Sequence, residues 1–321
     1  MSAPFFGLKR SDSSASQGGR GRRLRADLHV HSSLSAGRVC GTGTVRRDAA
    51  DPVTLYRAAR DRGMDLVTLT DIDRIDGCLR ILDQVREATD LFISEEIVAR
   101  HPALPADLHV LVFGLNERQH REAQRLKRDA DDLVRYLEGE RLSFSLGPYA
   151  EALPADGDLA RLVPVLRQFR CFEILNASEP LDYNVLAARL AQEAAAHQGY
   201  GVTAGSGACT TRGLGRGATA AEAAGADDFL RAVREGRTWP IRARPRMGRV
   251  GAVLGRLPIG APTPGVRSYA RRARLAARIR AARRRLDQHD VRTFREKTRA
   301  YRADPPGARR GGAGIGVTEA L

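Results

Sequence analysis

Between residues 24 and 239 short apolar runs alternate with stretches whose apolar residues recur three and four apart. The runs at 25–30, 66–69, 91–97, 108–113, 142–146, 172–175 and 201–203 predict strands, since short segments rich in Val, Ile, Leu and Phe suit a buried pleated surface. The longer stretches at 53–62, 119–137, 159–169, 181–197 and 227–235 predict helices, and Pro180 after Ser178 and Glu179 suits a first helical turn. Strand followed by helix, repeated about seven times, predicts an α/β parallel sheet or barrel. Folds of that kind carry their chemistry at the carboxyl ends of strands.

The pattern fades at both ends. Residues 1–23 are aperiodic and rich in Ser, Gly and Arg, which predicts a disordered basic segment. Residues 24–240 form the expected domain, 241–265 a Gly/Pro-rich linker, and 266–321 an Arg-rich, mostly helical extension with a disordered tail. A thin apolar line of Leu275, Ile279, Ala282, Leu286, Phe294 and Tyr301 supports the helix.

Composition narrows the function classes. The chain has 321 residues, 42% of them apolar, enough for a sizeable core. It contains no run of 18 apolar residues, so no membrane-spanning helix is expected, and its first residues lack the apolar region of a secretory peptide. Cys40, Cys78, Cys171 and Cys209 form no CxxC pair, and a reducing cytoplasm is the expected setting. The formal charge of +15 belongs to the ends: residues 1–26 carry +5, 241–321 carry +16, and the rest −6. Only Lys9, Lys127 and Lys297 are lysine, so arginine abundance reflects composition and says little about phosphate binding. With few aromatics among its arginines, the tail gives poor support for base stacking. Docking on the acidic domain or a weak, salt-sensitive polyanion contact is expected.

The first strand ends in Asp27-Leu28-His29-Val30-His31. Strand alternation puts Asp27, His29 and His31 on one face, a start for a divalent-metal site, against the plainer reading of a surface strand with solvated histidines. Three further segments strengthen the metal reading. Residues 64–73 run from a hydrophobic strand into Asp71 and Asp73, residues 92–97 hold Glu95 and Glu96 at a strand end, and His109 stands at the start of 108–114.

In this order and spacing DLHVHSSLSAG, GMDLVTLTDIDRIDGC, FISEEIVAR, LHVLVFGL and GSGACTTRGLGRGAT resemble the polymerase-and-histidinol-phosphatase (PHP) family, phosphoesterase-type branch, over about residues 27–240. The resemblance implies a distorted (β/α)7 TIM-like barrel. It also implies manganese, zinc or iron ions at the carboxyl ends of the strands, activating water and cradling a phosphate ester. Carried over by position, His29 and His31 match the first histidine pair, Glu96 the bridging carboxylate and His109 the histidine after it.

The departures matter as much as the matches. Ala36 and Ile72 stand where the family has an Asp and a His, Gly147-Pro148 stands for His-Pro, and Gly205-Ser206-Gly207-Ala208-Cys209 lacks an Asp and a His. The surviving set can hold one ion through His29, His31 and Glu96, with His109, Asp71 or Cys209 completing the shell; the alternative is no ion at all. Cys209, as a thiolate, would favour zinc. Asp71 or Asp73 is the expected proton acceptor or orienting group. Arg216, in Leu214-Gly215-Arg216, is the expected phosphate contact, and the Gly-rich turn at 203–207 a second place for a phosphate. The expected function is hydrolysis of a phosphorylated small molecule or nucleotide-type substrate. The alternative is an inactive PHP-fold protein that binds through its basic tail. His101, His120 and His197, and Cys40, Cys78 and Cys171, are expected to be solvated or packing residues.

Overall fold

The computed structural model describes residues 22–35, 49–147, 152, 162–194, 199–242, 277, 278 and 281. They form a mixed α/β protein with two sheets. The smaller sheet joins β1 (Arg22–Ala26), β7 (Gly217–Ala223) and β8 (Trp239–Arg242) in the order β1-β7-β8, all antiparallel. The larger has the order β2-β3-β4-β5-β6, made of β2 (Ser94–Ala99), β3 (Leu108–Phe113), β4 (Ser143–Leu146), β5 (Cys171–Asn176) and β6 (Gly201–Gly205).

The larger sheet is not all parallel. Strand β3 runs against β2, pairing Glu96 with Leu111, and against β4, while β4, β5 and β6 are parallel. The turn at 100–107 explains the first reversal: a parallel return needs a crossover of about a dozen residues or more. Of the expected strand at 25–30 only residues 25 and 26 lie in β1, and the expected strand at 66–69 forms no ladder; between the two sheets the chain makes isolated bridges, Val30 with Ala208, Val67 with Leu91 and Ile72 with Glu96. Side chains take the ladder's place there. Thr70 Oγ1 accepts the Val30 N–H at 3.0 Å, the Thr68 hydroxyl donates to the Phe92 carbonyl at 2.7 Å, and both oxygens of Asp71 are occupied by Ser32. Local side-chain bonds of this kind compete with regular pairing. Backbone continuity survives through Thr70 N–H to the Val30 carbonyl at 2.8 Å and Asp73 N–H to the Glu96 carbonyl at 2.8 Å.

The helices follow their caps. In α1 (Pro52–Asp61) the Asp51 carboxylate accepts from Val53 and Thr54 N–H, and Pro52 fills a position whose N–H would be unpaired. Helix α2 (Asp76–Gln84) follows. The single helix expected at 119–137 is two, α3 (Glu117–Leu126) and α4 (Ala130–Gly139). Asn116 and Gln119 close a capping box on α3, and Asp129 caps α4 anew. The break docks on Arg100, whose N–H and carbonyl bond Lys127 and Ala130. Helices α5 (Leu162–Leu166), α6 (Leu181–Ala194) and α7 (Ala226–Arg234) complete the set. The largest core cluster lies between the outer helices and β2–β5, with Leu133, Leu137, Leu166, Phe172 and Leu190 fully buried. Phe229 of α7 seals a second cluster under the small sheet.

Of the expected C-terminal helix only residues 277, 278 and 281 are described, as helix. Arg22 and Arg23 of the expected disordered N-terminal segment belong to strand β1, and Ile241 and Arg242 of the expected linker to β8, because each pairs with β7; the rest of both segments lies outside the described residues. Among the described residues no helix is long and apolar enough to cross a membrane.

Candidate metal centre

His29 and His31 leave the end of β1 two residues apart, and both are buried. Their Nε2 atoms are 3.1 Å apart, and Glu96 Oε2, from β2, lies 3.6 Å from the first and 3.3 Å from the second. One donor atom from each of the three residues falls within 4.8 Å of the others. The other oxygen of Glu96 faces Nδ1 of His109 on β3 in a short contact. The His109 side chain is 29% exposed and forms the open edge of the group.

The electrostatics split these groups. Burial alone would raise Glu96, but the His109 and His29 rings outweigh it and hold the carboxyl well below its usual range. Burial also opposes a charge on His29, yet the carboxylates of Glu173 and Glu96 carry its pKa well above the ordinary value. Burial dominates at His31, where Glu96 and a backbone hydrogen bond at Thr70 oppose it and His29 and His109 add to the descent, and its pKa falls to about 4.

Two residues absent from the sequence expectation complete the surroundings. Glu173 on β5 places its oxygens 2.9 and 3.1 Å from His29 Nδ1, and the Asn176 amide nitrogen lies 3.3 Å from Glu173 Oε2. A lone Glu inside the apolar run Cys171-Phe172-Glu173-Ile174-Leu175 was the available signal: a charge in a buried strand needs a partner.

The other expected site residues go elsewhere. Asp27 stays out of the three-residue group and accepts the backbone N–H groups of Ser206 at 2.8 Å, Gly215 at 2.7 Å and His29 at 3.3 Å, tying down the loop after β6; burial still pushes it up to about 6. Asp71 accepts the Ser32 N–H at 2.5 Å and the Ser32 hydroxyl at 2.6 Å, and burial raises it to about 6. Asp73, at φ 54°, is engaged by Lys127 Nζ at 3.0 Å and by Val98 N–H at 3.2 Å. Neither aspartate joins the three-residue group. Arg216 is exposed on the turn before β7. Cys209 is buried and disulfide-bonded, which corrects its expected role as a thiolate ligand, since a disulfide sulfur carries no thiolate charge. Cys78 and Cys171 are free and buried, as packing residues.

The turn at 203–207 is also spent. Ala204 N–H goes to Thr219 Oγ1, Ser206 N–H to Asp27 and Gly207 N–H to the His29 carbonyl, so these groups are not open to a phosphate. Gly207, at φ 59°, has no room for a side chain: a Cβ there would overlap Asn176 Oδ1 and Ser178 Oγ. Gly147 lies against the His109 backbone, donating to its carbonyl at 2.7 Å. His101 is held by Asp131, and His120 by the buried Glu95, so both are packing residues; His197 lies outside the described residues.

A family model described as PHP-associated matches residues 186–238, and the resemblance to the PHP family holds. No curated protein matches the chain. Among solved structures the chain is similar to PsfC from Pseudomonas syringae PB-5123, at 17% identity over 69% of this chain and 92% of that one, with a TM-score of 0.47. It is also similar to an amidohydrolase from Chromobacterium violaceum with bound sulfate and no metal, at 13% identity over 59% and 89% and a TM-score of 0.45. A third is a lesion-specific endonuclease from Pyrococcus furiosus, at 13% identity over 71% and 60% and a TM-score of 0.43.

Proposed function

We propose that this PHP-related chain is a metal-dependent hydrolase of phosphate esters whose centre is reduced to one divalent ion, held by His29, His31 and Glu96. The convergence of those three side chains carries the reading. Two imidazole nitrogens and a carboxylate oxygen form a donor set that suits manganese, iron or zinc. The two Nε2 atoms stand 3.1 Å apart, a spacing that two ligands of one cation can take. A bound ion would act as a Lewis acid toward a phosphate oxygen and toward water. The chain's own part is to hold Glu96 ionised between His29 and His109 and to present His109 at the open edge, where a phosphorylated small molecule or nucleotide-type substrate would enter.

The same reading takes the two sheets and the bridges at Val30, Val67 and Ile72 as one distorted barrel of about seven strands with a basic helical extension. It places the protein in the cytoplasm, with a weak polyanion contact through the arginines of 266–321; the Cys209 disulfide weighs against that compartment. A second reading, an inactive PHP-fold binding protein, is favoured by Ile72, Gly147 and Gly207, of which none can ligate through its side chain.

Metal content of the purified protein, with hydrolysis of an aryl phosphate after manganese, iron or zinc loading, separates the two. Stoichiometric metal, and turnover abolished by His29→Ala/His31→Ala, is the expected result. Neither metal nor turnover would leave the binding reading in its place.

A further inference from the structure

We infer that Glu173 and Asn176 are positioning residues that set the His29 ring for ligation through Nε2, with Asn176 standing in the space that a side chain at position 207 would need. The inference rests on the reading of His29 as an ion ligand.

Both oxygens of Glu173 face His29 Nδ1, at 2.9 and 3.1 Å, and Glu173 is only 3% exposed. A carboxylate accepts, so Nδ1 carries a proton and Nε2 is the atom left to face His31 and Glu96. The Asn176 amide nitrogen is 3.3 Å from both Glu173 Oε2 and His29 Nδ1. Because Nδ1 donates to Glu173, the amide donates to Glu173 Oε2 and steadies the carboxylate.

Two features of the fold make this arrangement specific. Residues three apart on a regular strand point to opposite faces, yet Glu173 and Asn176 meet. The ladder between β5 and β6 shifts register between Glu173 and Leu175, and that irregularity brings them to one side. The end of β5 is then fixed by Asn184 of α6, whose side-chain oxygen accepts Asn176 N–H at 2.8 Å and whose amide donates to the Asn176 carbonyl at 3.1 Å. Asn176 Oδ1 accepts from Ser178 N–H at 3.0 Å and from the Ser178 hydroxyl at 2.7 Å, filling the volume beside Gly207. The PHP resemblance places an aspartate at 207, so the chain supports His29 from β5 where a ligand carboxylate from the 207 loop is missing.

The test compares zinc affinity, by chelator competition, in the full chain and in Glu173→Gln, which keeps the shape and removes the charge. Affinity is expected to fall by about 10–100-fold while the denaturation midpoint of the metal-free protein shows that the variant folds. Long-range proton–nitrogen correlation on zinc-loaded wild type is expected to show His29 bound through Nε2 with Nδ1 protonated. Should Glu173→Gln fail to fold, Asn176→Ala carries the same comparison. Zinc bound through Nδ1, or unchanged affinity in the folded variants, overturns the positioning role alone. Wild type that takes up none of zinc, manganese and iron overturns both this inference and the proposed function.

Discussion

His29 and His31 stand with Nε2 atoms 3.1 Å apart, yet one ring is held well above the ordinary imidazole pKa and the other falls to about 4. The asymmetry comes from carboxylates: burial acts on both rings, and only His29 has Glu173 in addition to Glu96. The pair is therefore built around Glu96, which bonds on both sides.

Replacing Glu96 by Gln removes the charge that His29 and His109 share. Breaking a buried pair of this kind costs about 3–5 kcal/mol. The folded pKa of Glu96 lies below its ordinary 4.5, so its contribution is present above that value and lost as pH falls through the lowered one. Chemical denaturation is expected to show Glu96→Gln less stable than wild type at neutral pH, with the gap closing in strong acid. A gap of constant size would mean that Glu96 is not ionised in the fold.

Asp71 is held by Ser32, and that assigns it a scaffold role. Asp71→Ala leaves a buried N–H and hydroxyl of Ser32 without their acceptor, an expected loss of about 1–3 kcal/mol. Ion uptake is expected to survive in the folded variant, since Asp71 is not among the converging side chains. Loss of the ion with stability unchanged would instead make Asp71 a ligand.

Where local pattern decides structure, the sequence was legible. Strand 108–113 appears with the expected bounds, and His29, His31, Glu96 and His109 do come together. Strand β7 was hidden because Gly217-Ala218-Thr219-Ala220-Ala221-Glu222-Ala223 has few residues of high strand propensity; tertiary burial makes it a strand. Asp27 shows why alternation alone misleads. Facing the right way along an extended segment does not prevent a carboxylate from turning to Ser206 and Gly215 N–H groups that only the folded chain brings near. The role of Glu173 depends on a register shift in β5, which no spacing rule reports.

Restoring the family's carboxylate with Gly207→Asp is expected to harm the protein. The backbone at 207 has φ 59°, which Asp tolerates, but the Cβ would overlap Asn176 Oδ1 and Ser178 Oγ. Overpacking of this sort costs about 1–3 kcal/mol. The melting temperature should fall, and Asn176→Ala combined with Gly207→Asp should recover part of it. A Gly207→Asp variant as stable as wild type would show that the pocket beside 207 is not fixed by Asn176.

Asp27 offers a pH signature separable from the metal centre. It accepts three backbone N–H groups, from Ser206, Gly215 and His29, yet burial takes its pKa from 3.8 to about 6. A folded value above the unfolded one means that folding favours the neutral acid. Its contribution is fully present below the unfolded pKa and is lost as pH rises through about 6. A shift of about two units corresponds to roughly 3 kcal/mol. Asp27→Asn cannot ionise, and with one acceptor oxygen it starts from a constant deficit of about 1–3 kcal/mol. Chemical denaturation across this window should therefore show wild type losing ground to Asp27→Asn as pH rises, by up to about 3 kcal/mol. A difference that does not change with pH would mean that the three N–H groups outweigh burial and keep Asp27 ionised throughout.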